Sequence, residues 1–212
     1  MKIGILGSGN VGQTLAIGFL KLGYEVMLGT RNTQKEEVLK WSNENPTCKI
    51  ETFADTADFG DVLFLCTIWS GTESAINLSG VNNFKNKILV DVVNPLEFSS
   101  GVPKLALGFN DSAGEQIQKW LPEAKVVKAF NIITASYMTN GMIDGSKLDM
   151  FIAGNDIEAK KIVTGFLDAF NWNTHDLGNI EQSRLLEPFA MLWITHGVVT
   201  GNWSHAFKLV GR

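Results

Sequence analysis

Residues 1–31 constrain this chain more than any other stretch. Lys2-Ile3-Gly4-Ile5-Leu6 reads as a buried strand. Gly7-Ser8-Gly9-Asn10-Val11-Gly12 follows, and an apolar-periodic run continues to Leu22. The chain then returns through Gly23-Tyr24-Glu25-Val26-Met27-Leu28 as a second strand, with Gly29-Thr30-Arg31 where it ends. A Gly-x-Gly-x-x-Gly turn between strand and helix, with a second strand about thirty residues on, marks a dinucleotide-binding βαβ unit. Gly7 permits the tight turn, Gly9 lets backbone approach a pyrophosphate, and Gly12 lets the helix lie close to the strand. The helix opens near Asn10, so its free N–H groups and positive dipole end face the phosphates. The plainer alternative is a glycine-rich turn that binds nothing.

The end of the second strand selects the dinucleotide. NAD sites place Asp or Glu there, about 20 residues past the glycines, to hold the ribose 2′-hydroxyl. Here that position holds Gly29, followed by Thr30, Arg31 and, one helical turn on, Lys35. The planar Arg31 fork, the Thr30 hydroxyl and the Lys35 ammonium suit a 2′-phosphate. NADP(H) is therefore expected over NAD(H). The alternative makes Arg31 and Lys35 ordinary solvated charges.

The 212 residues are 45% hydrophobic and 19% charged, enough for one full core and short of two ordinary domains. A single NADP-binding Rossmann-type domain is expected over residues 1–212, with a C-terminal helical segment near 180–210. A net charge of −4 without a basic block gives nucleic acid no electrostatic footprint. No apolar run reaches the ~18 residues of a membrane span, and the first strand leaves no room for a signal peptide. Cys48 and Cys66 read as buried thiols without metal-ligand spacing. A cytoplasmic protein with no membrane partner is the expectation.

Downstream, strands are expected at 49–53, 61–66, 87–92, 125–130, 150–154 and 172–177. Helices are expected at 34–41, 55–59, 70–78, 112–120, 156–170 and 180–196, and residues 136–142 read as either helical or irregular. The strands at 61–66 and 87–92 are apolar runs, as central parallel strands buried on both faces require. This alternation implies an α/β fold: a Rossmann-type doubly wound, mostly parallel sheet of about eight strands with C-terminal helices packed on it. Ser112 and Glu115 are spaced as a capping box. Residues 97–111 have no period and read as a surface loop. Leu185, Leu186, Phe189, Leu192, Trp193 and His196 form the stripe of the last helix, which Pro188 is expected to kink. Arg184 and Glu187 are spaced to pair with each other.

Several segments fit one family pattern. They are the Gly7–Gly12 turn, Leu28 to Arg31 with Lys35, Val90 to Leu96 (Val-Asp-Val-Val-Asn-Pro-Leu) and Ser112-Ala113-Gly114-Glu115. Val126 to Asn131 (Val-Val-Lys-Ala-Phe-Asn) and Arg184-Leu185-Leu186-Glu187-Pro188 complete the set. On these residues the chain resembles the deazaflavin (coenzyme F-420)-dependent NADP oxidoreductases. Relatives of that family include the nucleotide-binding domain of the STEAP ferric reductases. The resemblance implies NADP(H) held by Thr30, Arg31 and Lys35, with the pyrophosphate over Ser8, Gly9, Asn10 and Val11. It implies a nicotinamide near Thr67, Ile68, Trp69, Asn94, Pro95, Ala129, Phe130 and Asn131.

The reaction implied is hydride transfer between nicotinamide and a deazaflavin or flavin co-substrate. Such chemistry is carried by the cofactors. No metal cluster, paired carboxylates or Ser-His-Asp set is found, and no catalytic acid or base is assigned. Asn131 and His196 are candidates to polarise the acceptor, although a histidine on an apolar stripe is more often structural. Trp69 is either a shelf for an isoalloxazine-like ring or a core cap. The aromatic C-terminal segment is either an acceptor-pocket wall or a homodimer interface. Two other functions stay open: a non-catalytic NADPH sensor, and a reductase of a small carbonyl or imine.

Overall fold

The computed structural model describes residues 1–98 and 103–211. The first half comprises β1 (Lys2–Leu6), α1 (Asn10–Lys21), β2 (Glu25–Thr30), α2 (Glu36–Glu44) and β3 (Lys49–Thr52). It continues with α3 (Phe53–Phe59), β4 (Val62–Leu65), α4 (Trp69–Ser79) and β5 (Ile88–Asp91). A hairpin of β6 (Leu96–Glu97) and β7 (Lys104–Leu105) leads to α5 (Ala113–Trp120), β8 (Lys125–Lys128) and α6 (Ala135–Met138). A second hairpin, β9 (Met142–Ile143) with β10 (Ser146–Lys147), precedes β11 (Asp149–Gly154), α7 (Ile157–Ala169) and β12 (Asn173–Asp176). A 3-10 turn at Ile180–Gln182 feeds α8 (Ser183–Thr200).

The main sheet has eight strands in the order β12-β11-β8-β5-β4-β1-β2-β3. All neighbours are parallel except β8 and β11, where Ala153 faces Lys128 and Gly154 faces Val127. From β1 the chain winds outward to β2 and β3 on one side and to β4 and β5 on the other. That reversal opens a crevice at the carboxyl end of β1, where open α/β sheets bind ligands.

The two-residue period of the strands divides the core between the two faces. Ile3, Ile5, Val62, Phe64 and Val90 pack on one side with Phe19 of α1. Leu6, Leu63, Leu65 and Leu89 pack on the other against α3, α4 and α5. Phe19 centres the first cluster, with ring centroids 4.9 Å from Phe64 and 5.1 Å from both Phe166 and Phe170. Burying these rings fixes α1, and with it the glycine turn, against the sheet.

Three local expectations are revised. The aperiodic stretch after Leu96 is partly ordered, since Leu96 pairs with Leu105 and Glu97 with Lys104; residues 99–102 lie outside the described chain. Residues 142–147 form a hairpin around Asp144 and Gly145, both at positive φ (48° and 76°), an Asp-Gly turn that suits tightly twisted strands. The last helix runs through Pro188 to Thr200 as one element rather than stopping at His196.

Candidate active site

The glycine turn takes the form its spacing requires. Gly7 sits at φ +130°, and a Cβ there would strike the Cys66 carbonyl. A Cβ on Gly12 would run into the Gly7 carbonyl oxygen, so α1 touches the end of β1 only because Gly12 lacks a side chain. At Gly9 a Cβ would meet no protein atom within 4 Å. Gly9 is also the N-cap of α1, with no side chain capping it, which leaves the helix's first N–H groups for a ligand. The vacant space and these donors fit a pyrophosphate. Asn10 is exposed there, while Val11 is half-buried and leans on the core.

A cleft of ≈ 300 Å³ lies beside this turn, lined by Gly7, Ser8 and Gly9, by Thr30, Arg31, Asn32 and Lys35, and by Thr67 and Ile68. The Ser8 hydroxyl donates to Thr30 Oγ1 (3.1 Å), and the Asn32 N–H donates to the same oxygen (3.4 Å). The buried Thr30 hydroxyl thus ties the phosphate turn to the loop that carries Arg31. Arg31 is exposed and has no acidic partner among the described residues. Lys35 is the N-cap of α2 rather than a residue inside it, and it pairs with Glu37 at 2.6 Å. Asn32 was not anticipated. Its carbonyl side-chain oxygen accepts the Gln34 N–H (2.9 Å), and an Asn two residues past the strand end was the available signal.

The predicted nicotinamide residues divide into two groups. Thr67 and Ile68 line the cleft with Arg31, and Ile68 is 74% exposed at its rim. Asn94, Pro95, Ala129 and Asn131 instead meet at the carboxyl ends of β5 and β8. Asn94 Nδ2 donates to the Asn131 carbonyl (2.8 Å), and Asn131 Nδ2 donates to Asn94 Oδ1 (3.0 Å) and to the Leu186 carbonyl (3.0 Å). Carbonyls only accept, so both amide orientations are fixed. Among the described residues, Asn131 Oδ1 is then left buried without a partner. Phe130, between Ala129 and Asn131, is fully buried at φ +63°, a strained conformation for a bulky residue.

Beneath this group lies a buried ion cluster that sequence reading missed. Lys128 Nζ contacts Asp91 Oδ2 at 2.7 Å, Glu187 Oε1 at 2.8 Å and the Val93 carbonyl at 2.6 Å. Glu187 also accepts the Ala113 and Gly114 N–H groups at 3.0 and 3.1 Å, the amino end of α5. Burial opposes the Lys128 charge, but Asp91 and Glu187 outweigh it and hold the ammonium above the ordinary lysine value. The same burial pushes the Glu187 carboxyl up, against the pull of Lys128. The motif segments around Asp91, Lys128 and Glu187 carried the signal, yet charge pairs between distant segments have no period to betray them.

Other candidates fall elsewhere. Arg184 does not pair with Glu187; it grips Glu115 at 2.8 and 2.6 Å and Glu181 at 2.9 Å. The Ser112 cap holds, with its hydroxyl accepting the Glu115 N–H at 3.2 Å, but the Glu115 carboxylate turns to Arg184 and the Ser112 hydroxyl. Trp69 opens α4 and stacks on Trp120, centroids 5.6 Å apart at 16°, which favours its role as a core cap. His196 is exposed on α8 with its ring 4.4 Å from His205, and it is not among the residues lining the cleft. Burial raises the thiol pKa of both cysteines, that of Cys48 to about 11.

Known proteins that resemble this chain place it among the NADP-dependent oxidoreductases. A family described as NADP oxidoreductase, coenzyme F420-dependent, matches residues 2–95. The F420-dependent NADP reductase of Methanocaldococcus jannaschii is 31% identical over 207 residues, covering 92% of this chain and 91% of that protein. A solved structure from Arthrobacter sp. FB24, designated provisionally as an F420-dependent NADP reductase, superposes over both full chains with a TM-score of 0.94 and 36% identity. The metalloreductase STEAP3 of Rattus norvegicus is 31% identical over 88% of this chain, which spans only 36% of that longer protein. The chain belongs to the coenzyme F420-dependent NADP oxidoreductase family. Among the described residues, no helix is long and apolar enough to cross a membrane.

Proposed function

We propose that this chain moves hydride between NADP(H) and a deazaflavin or flavin, with the nicotinamide at the Asn94–Asn131 end of the crevice. One observation carries the reading. An apolar hollow of ≈ 670 Å³, lined by Leu105, Leu107, Phe109, Arg184, Leu185 and Pro188, lies against that end. The two are joined by the Ala106 N–H, which donates to the Pro95 carbonyl (2.7 Å), and by the Leu186 carbonyl, which Asn131 holds. An apolar hollow with a few polar groups at one edge suits a flat tricyclic ring. The name of the archaeal relative supports the same acceptor class.

The bound nicotinamide cofactor supplies the hydride itself. The residues of this chain bind, orient and keep water out. Arg31 and Thr30 select the 2′-phosphate. The turn at Gly9 and the amino end of α1 hold the pyrophosphate. Asn94 and Asn131 present fixed amides to the ring, and Asn131 Oδ1 is free to accept an N–H. The exposed residues Leu185, Leu192 and Val199 recur every seventh position along α8. That seam suits pairing with a second copy, and a sedimentation mass of one chain would reject it.

The test is anaerobic NADPH oxidation with a deazaflavin, FMN and FAD offered in parallel. Turnover with a tricyclic acceptor supports the reading. Tight NADPH binding with no turnover on any of the three would overturn it in favour of a sensor.

A further inference from the structure

We propose that the buried Lys128, Asp91 and Glu187 cluster is the positioning element for the nicotinamide end, holding the Asn94–Asn131 amide pair in place from beneath. This rests on the reading that the ring lies at that pair.

The connections are direct. Asp91 Oδ1 accepts the Val93 N–H (2.9 Å), while Lys128 donates to the Val93 carbonyl (2.6 Å). Both polar groups of Val93 are therefore held by the ion pair, and Asn94 is the next residue. Glu187 is held by Lys128, and the preceding Leu186 carbonyl is an acceptor for Asn131. Lys128 itself lies three residues before Asn131, with the positive-φ Phe130 between them. One ammonium thus reaches both anchors of the amide pair, Val93 just past β5 and Glu187 on α8.

The charge count explains the remaining contacts. Two carboxylates face one ammonium. The second negative charge is met by the Ala113 and Gly114 N–H groups, where the α5 dipole is positive. The approach is close: a Cβ on Gly114 would strike the Ser183 hydroxyl at the start of α8. α5 and α8 are therefore locked to the same cluster that sets Val93.

Stability alone is a poor reason for such a cluster. Desolvation cancels much of the attraction between buried charges, and apolar replacements are often equally stable. What apolar side chains do not provide is a directed hold on both sides of Val93. Placement to within fractions of an ångström matters for hydride transfer, because the reacting atoms must be aligned.

The experiment uses Glu187→Gln and Asp91→Asn, which keep shape and remove charge. Phe84→Leu, buried just before the amino end of β5 and on the opposite face of the sheet from Phe130, serves as a control for lost stability. The first readout is ligand-free: exchange protection of the Asn94 and Asn131 side-chain amides by NMR. The wild type is expected to protect them, and the charge variants to lose at least tenfold. The second is single-turnover hydride transfer, together with NADPH affinity from fluorescence titration. Folded charge variants are expected to bind NADPH within threefold of wild type yet transfer hydride at least tenfold more slowly. Phe84→Leu should lower the melting temperature without that loss.

Unprotected amides in the wild type overturn the proposal, even if neither charge variant folds. So does a folded charge variant that keeps wild-type protection and rate, or a loss that Phe84→Leu reproduces. A wild type that binds NADPH but reduces no deazaflavin or flavin refutes the functional reading instead, and the exchange readout still decides the placement role.

Discussion

Asn94 and Asn131 hold each other at two points, each side chain serving as partner to the other residue's amide or carbonyl. The pair bridges β5 and β8 at the sheet's carboxyl edge, and Asn131 extends the bridge to α8. Asn131→Leu should leave the Leu186 carbonyl and Asn94 Oδ1 without these partners, while Asn94 Nδ2 keeps the backbone carbonyl of residue 131. Each buried unpaired group costs about 1–3 kcal/mol. The melting temperature should fall by about 5–10 °C. NADPH affinity measured by fluorescence should change less than threefold, because the phosphate end is untouched. A large loss of affinity would place more of the dinucleotide at this end than the account allows.

Two glycine variants separate binding from folding. Gly9→Val adds a side chain where no protein atom lies within 4 Å, so circular dichroism and melting should stay near wild type. NADPH binding should disappear, since the side chain occupies the phosphate position. Gly12→Val drives a side chain into the Gly7 carbonyl and should unfold or severely destabilise the protein. Normal NADPH binding by Gly9→Val would move the pyrophosphate elsewhere.

Arg31→Asp removes a cation that has no acidic partner among the described residues and adds a repulsive charge. A charge-assisted contact with phosphate is worth about 1.5–3 kcal/mol. NADPH should bind about 100-fold more weakly, with NADH changed less than threefold. Equal effects on the two dinucleotides would remove the 2′-phosphate assignment.

Asp149 ties the C-terminal segment to the sheet edge, accepting the Leu209 N–H at 2.5 Å and Asn173 Nδ2 at 3.0 Å. Burial raises its carboxyl pKa, but the Leu209, Asn173 and His175 contacts outweigh burial and hold it below the ordinary value. A carboxylate held low in the fold stabilises above its unfolded pKa, about 4, and that contribution fades as pH falls through the lower folded value. The Leu209 amide should therefore be protected from exchange at pH 6 and lose protection below about pH 4. Asp149→Asn should lose much of it already at pH 6. A protection factor independent of both changes would show that the contact carries nothing.

The parts of this molecule written in local periodicity were legible in its sequence. Gly7, Gly9 and Gly12 announced the turn, and the apolar runs around Phe64 and Val90 announced the central strands. Arg31 stood out because the usual carboxylate was missing from one known position, and the fold brings it into the cleft beside the glycine turn. The short hairpins were not recognised: two-residue strands carry no period, although Asp144-Gly145 was a usable turn signal. The Lys128 cluster was hidden for a deeper reason. Its members lie on β5, β8 and α8, and only tertiary packing brings them together. Arg184 shows the same failure in reverse, since helical spacing offered Glu187 as its partner while the fold supplied Glu115 and Glu181.

The central claim is direct hydride transfer to a tricyclic acceptor, and isotope labelling tests it most directly. NADPH carrying deuterium at both C4 positions would be incubated anaerobically with the protein and an oxidised deazaflavin. The product would then be analysed by mass spectrometry and proton NMR. The account predicts deuterium at C5 of the deazaflavin, at a carbon where it does not exchange with water. Reduced deazaflavin without label, or label retained in NADPH with no acceptor reduced, would contradict it.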